Sequence, residues 1–512
     1  MFAFYFLPSG SAFPSQLFSF SAFSICLSLL SSISVKFPIP FFALLALCLG
    51  AHLPAAAQNY FTDAEAAGIR SFLHTNFHQT NTCIVIGLVD ERGTRIFSAG
   101  KLGDGTDREP DGDTVFFIGS LSKTFTTLLL EDMVERGQMQ LEAPVARYLP
   151  DSVRMPTYAG EEISLLDLAT HTAGFPINPN NMTGRDTKEQ YETYTVEKMY
   201  AYLSSYTLRR APGTEFEYSN LGMALLGHAI ALKAGTNFES LLVNRICRPL
   251  HMDSTCVTLT SELTAHLAIG RDDSGRPSPP WKLQAYSPAG DIHSTANDLL
   301  KYVSAQAGLT PSKLTPLMQR TQVIRFIDSR GVPDQAGIIT MGRTAMDWLD
   351  RNAYQPPGME LLGHAGGAGS YHAWAGFDKK QRRGVVAFST AVTVEPIGWT
   401  LLQRLPLTPD SFKEFARELV GLGFALDLDK ETHTLHVTKV YPKSPASQAG
   451  LSAGLIIQKI GDVSTFGKTV AECLALLHPS GTSKIRLELV DPQRNVTNTV
   501  DVSRGKFVTL SS

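Results

Sequence analysis

The chain has 512 residues, 43% of them hydrophobic and 18% charged, which is ordinary globular composition with room for roughly two to four domains. A net charge of -3 gives no basic footprint, and no acidic tail stands out, so nucleic-acid binding is set aside. From residue 1 to 61 the only Lys, Arg, Asp or Glu is Lys36. It separates two apolar stretches, 17–35 and 37–50. The second has the parts of a secretory signal: Lys36 as the positive start, an apolar middle, and Ala55-Ala56-Ala57 before Gln58. The expectation is that residues 1–57 are removed and that the rest is secreted or periplasmic, with translation starting near Val35. The rival is an N-terminal membrane anchor, since 17–35 is just long enough to span a bilayer. Leu47 is too bulky to precede a lipidated Cys48. The mature part keeps Cys83, Cys247, Cys256 and Cys473, too sparse for a disulfide framework. Cys247 and Cys256 are near enough in sequence to pair; buried free thiols are the simpler expectation.

In chain order, 62–77 reads as an amphipathic helix capped by Thr62, with Asp63 and Glu65 at its positive end. The runs 83–89 and 94–98 form a hairpin signal around Gly93. A long helical pattern covers 120–136 and stops at Gly137. Further helices are expected at 196–203 and 221–234. Strands return at 361–364, 371–377 and 384–389, followed by a closing helix over 397–405. Helices in the middle with strands at both ends predict an α/β fold: an antiparallel sheet built from the two ends of the chain, flanked by helices, with an all-helical insertion. Pro406 and Pro409 mark a linker over 406–419, so the expected units are 58–405 and a small β-rich unit over 420–505.

Ser120 and Lys123 stand three residues apart at a predicted helix start, so both side chains share a face. A serine hydroxyl is a poor nucleophile until a base takes its proton, and a nearby lysine does this when its own proton is held loosely. Alone this spacing is common and reads equally well as a surface helix start. Two further pieces change the balance. Tyr218 and Asn220 precede a helix; a phenol there relays a proton and an amide holds a substrate carbonyl. His364, Gly366 and Gly367 lie on a late strand, where glycine lets substrate backbone approach. The N–H of Gly367, with that of Ser120, would form an oxyanion hole.

Taken in order, these pieces resemble the serine β-lactamase, penicillin-binding protein and esterase superfamily, most closely its class C branch, over roughly residues 61–405. The phrases at 168–176, 287–291 and 137–150 add to the likeness. The resemblance implies that Ser120 is acylated, that Lys123 and Tyr218 share the acid–base work, and that His364 with Gly366 lines the substrate strand. It implies no metal or organic cofactor. The substrate would be a small-molecule or peptide acyl compound: an ester, an amide or a D-amino-acid peptide. One departure matters. Class C enzymes carry Lys-Thr-Gly where this chain has His364-Ala365-Gly366, and the lost lysine would hold a substrate carboxylate. A histidine is mostly neutral near pH 7. The esterase and D-peptidase members fit better than an efficient β-lactamase, with acylation by β-lactams still expected. Pocket shape rests on the long loops at 177–195 and 271–285.

The tail over about 420–502 resembles a PDZ domain, on Gly421-Leu422-Gly423-Phe424 and Ser444-Pro445-Ala446. In that family Leu422, Gly423 and Phe424 would offer backbone N–H groups to the carboxylate of a peptide or protein C-terminus. Leu455 stands where an acidic residue is common. Either the tail takes such a ligand or it is a packing domain. The alternative for the whole chain is an inactive binding protein whose tail does the work. Three other signals are discounted. Gly450–Gly454 matches Gly-x-Ser-x-Gly but sits in a connecting turn. His74 and His78 are one helical turn apart and lack a third metal ligand. No Gly-Asp-Ser-Gly-Gly run marks a trypsin-like protease.

Overall fold

The computed structural model describes residues 60–77, 82–271, 276–333, 339–344, 346, 349–350, 358–409 and, with short gaps, 416–510. The chain divides into units 1–58 and 59–512, and every described residue belongs to the second. The export signal, Lys36 and the Ala55–Ala57 cleavage site lie outside the described residues, as do His78, Leu422, Gly423 and Ser444.

Strand β1 (Cys83–Asp90) is buried along its whole length, which explains its unbroken apolar run. Side chains alternate across a strand, so each face feeds a different core. Ile84, Ile86 and Leu88 join Trp374, Val385 and Ala387 beneath helices α1 (Asp63–Phe77) and α5 (Glu395–Leu402). Val85 and Val89 join Ala373, Ala375, Val386 and Phe388 against α2 (Ser122–Glu135), α3 (Asn220–Ala234) and α4 (Ala296–Gln306). Two helical layers therefore enclose one sheet. Burying one large aliphatic side chain contributes about 1.5–3 kcal/mol, so this double core dominates stability.

The sheet runs β2-β1-β10-β9-β8-β7-β6-β5 among the described residues. Here β2 is Gly93–Gly100, β5 Phe326–Pro333, β6 Ile339–Thr344, β7 Leu349–Asp350, β8 Leu361–Ala368, β9 Tyr371–Asp378 and β10 Arg383–Ser389. The paired strands are antiparallel. The seam between the two ends of the chain is the β1–β10 pair, in register from Ile84 opposite Ser389 to Val89 opposite Gly384. This is the expected architecture, with three additions. Strands β5, β6 and β7 extend the sheet where no strand was anticipated, because their sequences carry Gly331, Gly342 and charged residues in place of alternation. A separate pair joins β3 (Val115–Phe117) to β4 (His293–Thr295) and brackets the site.

Helix α1 begins with a reciprocal cap. Glu65 N–H donates to Thr62 Oγ1 at 3.2 Å and Thr62 N–H donates to Glu65 Oε2 at 2.6 Å. Cys83, Cys247, Cys256 and Cys473 are free thiols. Burial pushes the Cys83 and Cys256 thiols up to about 12.

The tail has its own core, made of Leu435, Val437, Ile457, Leu487, Leu489 and Val502 among others. Its sheet runs β12 (Phe424–Asp429), β13 (Thr434–Val440), β14 (Ile456–Ile460), β16 (Lys484–Asp491), β17 (Val496–Ser503), with β15 (Val463–Ser464) pairing β14. A further pair joins β11 (Ala416–Gly421) to β18 (Gly505–Leu510). Gly450–Gly454 is a turn between the short helix Pro445–Gln448 and β14, with Leu451 buried. That context lacks the strand–turn–helix a nucleophile elbow needs.

Candidate active site

Ser120 sits in a single 3-10 turn, Gly119–Leu121, directly before α2. Phe116, Phe117 and Ile118 lead into it fully buried. Ile118 N–H donates to the Ile292 carbonyl at 2.9 Å, and Ile292 N–H donates to Ser122 Oγ at 3.2 Å. The turn is thus tied on both sides, and only Ser120 in it keeps partial exposure.

Lys123 is fully buried one helical turn on. Its Nζ lies 2.7 Å from Ser120 Oγ and 2.7 Å from the Ala289 carbonyl oxygen. It also stands 4.9 Å from the centroid of the Tyr218 ring. The sequence therefore brings hydroxyl, amine and phenol to one place. The Ala289 carbonyl was not foreseen as a site group. Its signal was the phrase at 287–291, whose Pro288 carbonyl also accepts from Thr126 Oγ1 at 2.6 Å.

Tyr218 is held by His171. The two rings lie 4.5 Å apart at 37°. His171 Nδ1 accepts from Ser219 N–H at 3.1 Å, and its carbonyl accepts from Glu217 N–H at 2.8 Å. His171 has φ +58, a left-handed backbone that lets ring and carbonyl grip the same turn. Ser219 then caps α3 by accepting from Gly222 N–H at 3.0 Å.

Asn220 opens α3. Its Nδ2 donates to Tyr191 Oη at 3.2 Å and to Asn178 Oδ1 at 3.4 Å. Tyr191 Oη donates to Asn178 Oδ1 at 3.0 Å.

Strand β8 passes directly over the Ser120 turn. A Cβ on Gly366 would lie inside contact distance of the Ile118 carbonyl oxygen and 2.8 Å from Leu121 N. Gly119 has φ +52, and a Cβ there would run into Gly367 N, with Gly367 Cα at 3.0 Å. Only glycine permits this approach. It sets the Gly367 backbone against Gly119, the residue before Ser120. Gly367 is the exposed residue of the strand, open to a ligand. His364, by contrast, is 4% exposed, with its ring 6.4 Å from the Tyr218 ring. Its Nδ1 is 2.6 Å from the Ala365 carbonyl, which can only accept, so Nδ1 carries a proton. His364 is a buried neighbour of the phenol more than an exposed lining group.

This arrangement, a buried lysine on a helix-start serine beneath a glycine-rich strand edge, sets an amine beside a partly exposed hydroxyl, the pairing that acyl transfer to a serine requires. The chain belongs to the Beta-lactamase family: that family's model matches residues 78–402. It is 30% identical over 264 residues to the D-alanyl-D-alanine-carboxypeptidase/endopeptidase AmpH of Escherichia coli (strain K12), covering 50% of this chain and 67% of that protein. It is 27% identical over 238 residues to a beta-lactamase of Lysobacter lactamgenus, covering 46% and 58%. Among solved structures, the D-alanine carboxypeptidase AmpC of Burkholderia cenocepacia aligns with TM-score 0.54 at 23% identity, over 67% of this chain and 99% of that one. A beta-lactamase/D-alanine carboxypeptidase of Yersinia pestis aligns with TM-score 0.54 at 22% identity, over 65% and 90%. These likenesses establish the fold.

Proposed function

We propose that this chain is an exported acyl-enzyme hydrolase with Ser120 as nucleophile, acting on an ester, an amide or a D-amino-acid peptide. The observation that carries the reading is the 2.7 Å approach of buried Lys123 Nζ to Ser120 Oγ. Lys123 in its unprotonated form takes the Ser120 proton as Oγ bonds the acyl carbon. The carbonyl oxygen becomes an oxyanion met by the N–H groups of Ser120 and Gly367. Collapse breaks the bond to the leaving group, which receives the proton by way of Tyr218. Water then enters, gives its proton to the same relay, and releases the acid from Ser120. Asn220 holds a substrate carbonyl or amide. The missing lysine at His364 favours esters and D-peptides over efficient β-lactam turnover.

A fluorophosphonate or fluorescent penicillin probe tests this. Wild type is expected to be labelled and Ser120→Ala is not; equal labelling removes Ser120 from the mechanism.

The proposed organisation is a removable segment 1–57, a hydrolase unit 58–405, a linker 406–419 and a PDZ-like unit 420–505. In that tail β12 has one strand neighbour among the described residues, so its other edge is available for a peptide strand. Phe424 opens β12 and would act with Leu422 and Gly423, which precede it in the sequence. Anisotropy with free-acid and C-terminally amidated peptides tests capture of a carboxylate. Equal binding of the two, or none, refutes it.

A further inference from the structure

A neutral amine that takes a proton from Ser120 must point its lone pair at Oγ. The Ala289 carbonyl helps to aim it. By donating an N–H to that carbonyl at 2.7 Å, Lys123 Nζ is held against rotation with its lone pair able to face Ser120 Oγ, also at 2.7 Å. The base is thus aimed by a backbone atom, and whatever fixes that backbone decides how well it is aimed.

Ala289 lies in a single helical turn, Ser287–Gly290, directly after the 3-10 turn Gln284–Tyr286. Helices fix one part of it. Thr126 on α2 donates to the Pro288 carbonyl, and a Cβ on Gly227 of α3 would fall inside contact distance of the Pro288 ring. The segment begins, however, at a strained residue. Gln284 has φ +49, a left-handed backbone disfavoured for any residue but glycine, and such a turn persists only where its surroundings enforce it. Asp291 spans it. Its Oδ2 accepts from Leu283 N–H at 3.2 Å and from Ser287 Oγ at 2.8 Å, one bond before Gln284 and one after. Ser287 Oγ also lies 2.9 Å from the Gln284 carbonyl, but it has one proton, and a carboxylate is the stronger acceptor. Asp291 N–H closes the same turn on the Ser287 carbonyl at 3.1 Å. An aspartate only 7% exposed carries a desolvation cost that such bonds offset. The next residue, Ile292, is tied to Ile118 and Ser122 on either side of the nucleophile.

Resting on the acyl-enzyme reading of Ser120, we infer that Asp291 is a positioning residue for the base: by stapling Leu283 to Ser287 it sets the Ala289 carbonyl that aims Lys123 Nζ at Ser120. Asp291 touches neither substrate nor reacting atoms and acts only through that carbonyl.

The test is the rate of fluorophosphonate labelling of the full chain at pH 8, where the Asp291 carboxyl, raised by burial to about 6, is ionised. Asp291→Ala removes the acceptor and should slow labelling about tenfold or more. Asp291→Asn keeps an oxygen in the same place and should stay within about threefold of wild type. The decisive readout is Asp291→Ala made on Lys123→Ala. A residue that works through Lys123 matters little once the amine is gone, so the added loss there should be less than about twofold, whereas a loosened fold would slow both backgrounds alike. A loss as large without Lys123 as with it overturns the assignment, as does a loss below about threefold with Lys123 present. Ser287→Ala, which removes one of the two bonds, takes the same pair of measurements if circular dichroism shows Asp291→Ala unfolded. Its loss of about threefold is expected only with Lys123 present, and an equal loss on both backgrounds overturns the staple. The failure of the underlying reading looks different: wild type would then be labelled no faster than Ser120→Ala.

Discussion

Replacing Gly366 by alanine puts a methyl group inside contact distance of the Ile118 carbonyl oxygen and 2.8 Å from Leu121 N. Both neighbours are backbone of the Ser120 turn, and Ile118 is pinned to Ile292, so neither yields as a flexible side chain would. Reaching the ordinary 3.4 Å contact requires β8 to withdraw by on the order of 1 Å. That moves Gly367 N–H away from the oxyanion position while leaving Ser120, Lys123 and Tyr218 intact. Loss of one such donor costs about 10²–10³ in turnover, or roughly 3–4 kcal/mol. Gly367→Ala is the control, since its Cβ meets only the Tyr371 carbonyl at 3.1 Å and His372 Nδ1 at 3.6 Å. Steady-state ester hydrolysis, with circular dichroism to confirm folding, measures both variants. Gly366→Ala is expected to lose at least a hundredfold in kcat and Gly367→Ala far less. A folded Gly366→Ala enzyme within threefold of wild type would refute the assignment of the strand to the oxyanion.

Lys123→Ala should slow fluorophosphonate labelling by about 10²-fold or more, and Lys123→Arg should not restore it, because a guanidinium stays protonated. Two buried groups give opposed pH dependences. Burial raises the Asp291 carboxyl to about 6 and lowers the His293 imidazole to about 4. Native Asp291 keeps a proton the unfolded chain releases, so its stabilisation is full below about pH 4 and is lost as pH rises through 6. Native His293 refuses a proton the unfolded chain takes up, so its contribution is full above about pH 6.5 and is lost as pH falls toward 4. The two slopes nearly cancel in between. Between pH 4.5 and 5.5, Asp291→Asn should therefore gain stability with rising pH, and His293→Gln should lose it, each by about 1 kcal/mol. Urea unfolding at the two pH values reads this, and parallel trends in the two variants would refute it. Asp378→Ala leaves Arg383 buried without its 3.7 Å partner, both side chains being 0% exposed, and should cost about 3–5 kcal/mol of unfolding free energy.

The parts of the site legible in the sequence are those fixed by local spacing. Ser120 and Lys123 need only one helical turn to meet, and Tyr218 and Asn220 need only the start of α3. The apolar runs of β1, β9 and β10 were legible because burial on both faces leaves little room for polar residues. The Ala289 carbonyl was not legible, since any residue offers the same carbonyl. Nor were β5–β7, which are edge-ward strands with glycine and charge where a central strand carries Val or Ile. The loops at 177–195 and 271–285 were recognised as shaping the pocket. That Tyr191 and Trp281 stack across the two could not be read, because nothing local links residues ninety positions apart.

The β1–β10 seam has a consequence for how the molecule comes into being. Ile84 finds Ser389 only after some three hundred intervening residues have been made. At 5–20 residues per second that delay is roughly 15–60 s. Through this interval β1 has β2 on one side and an open backbone edge on the other, so the nascent chain stays unfinished and able to thread. A truncation ending before Arg383 removes the closing strand and should yield an aggregating fragment, never a smaller enzyme.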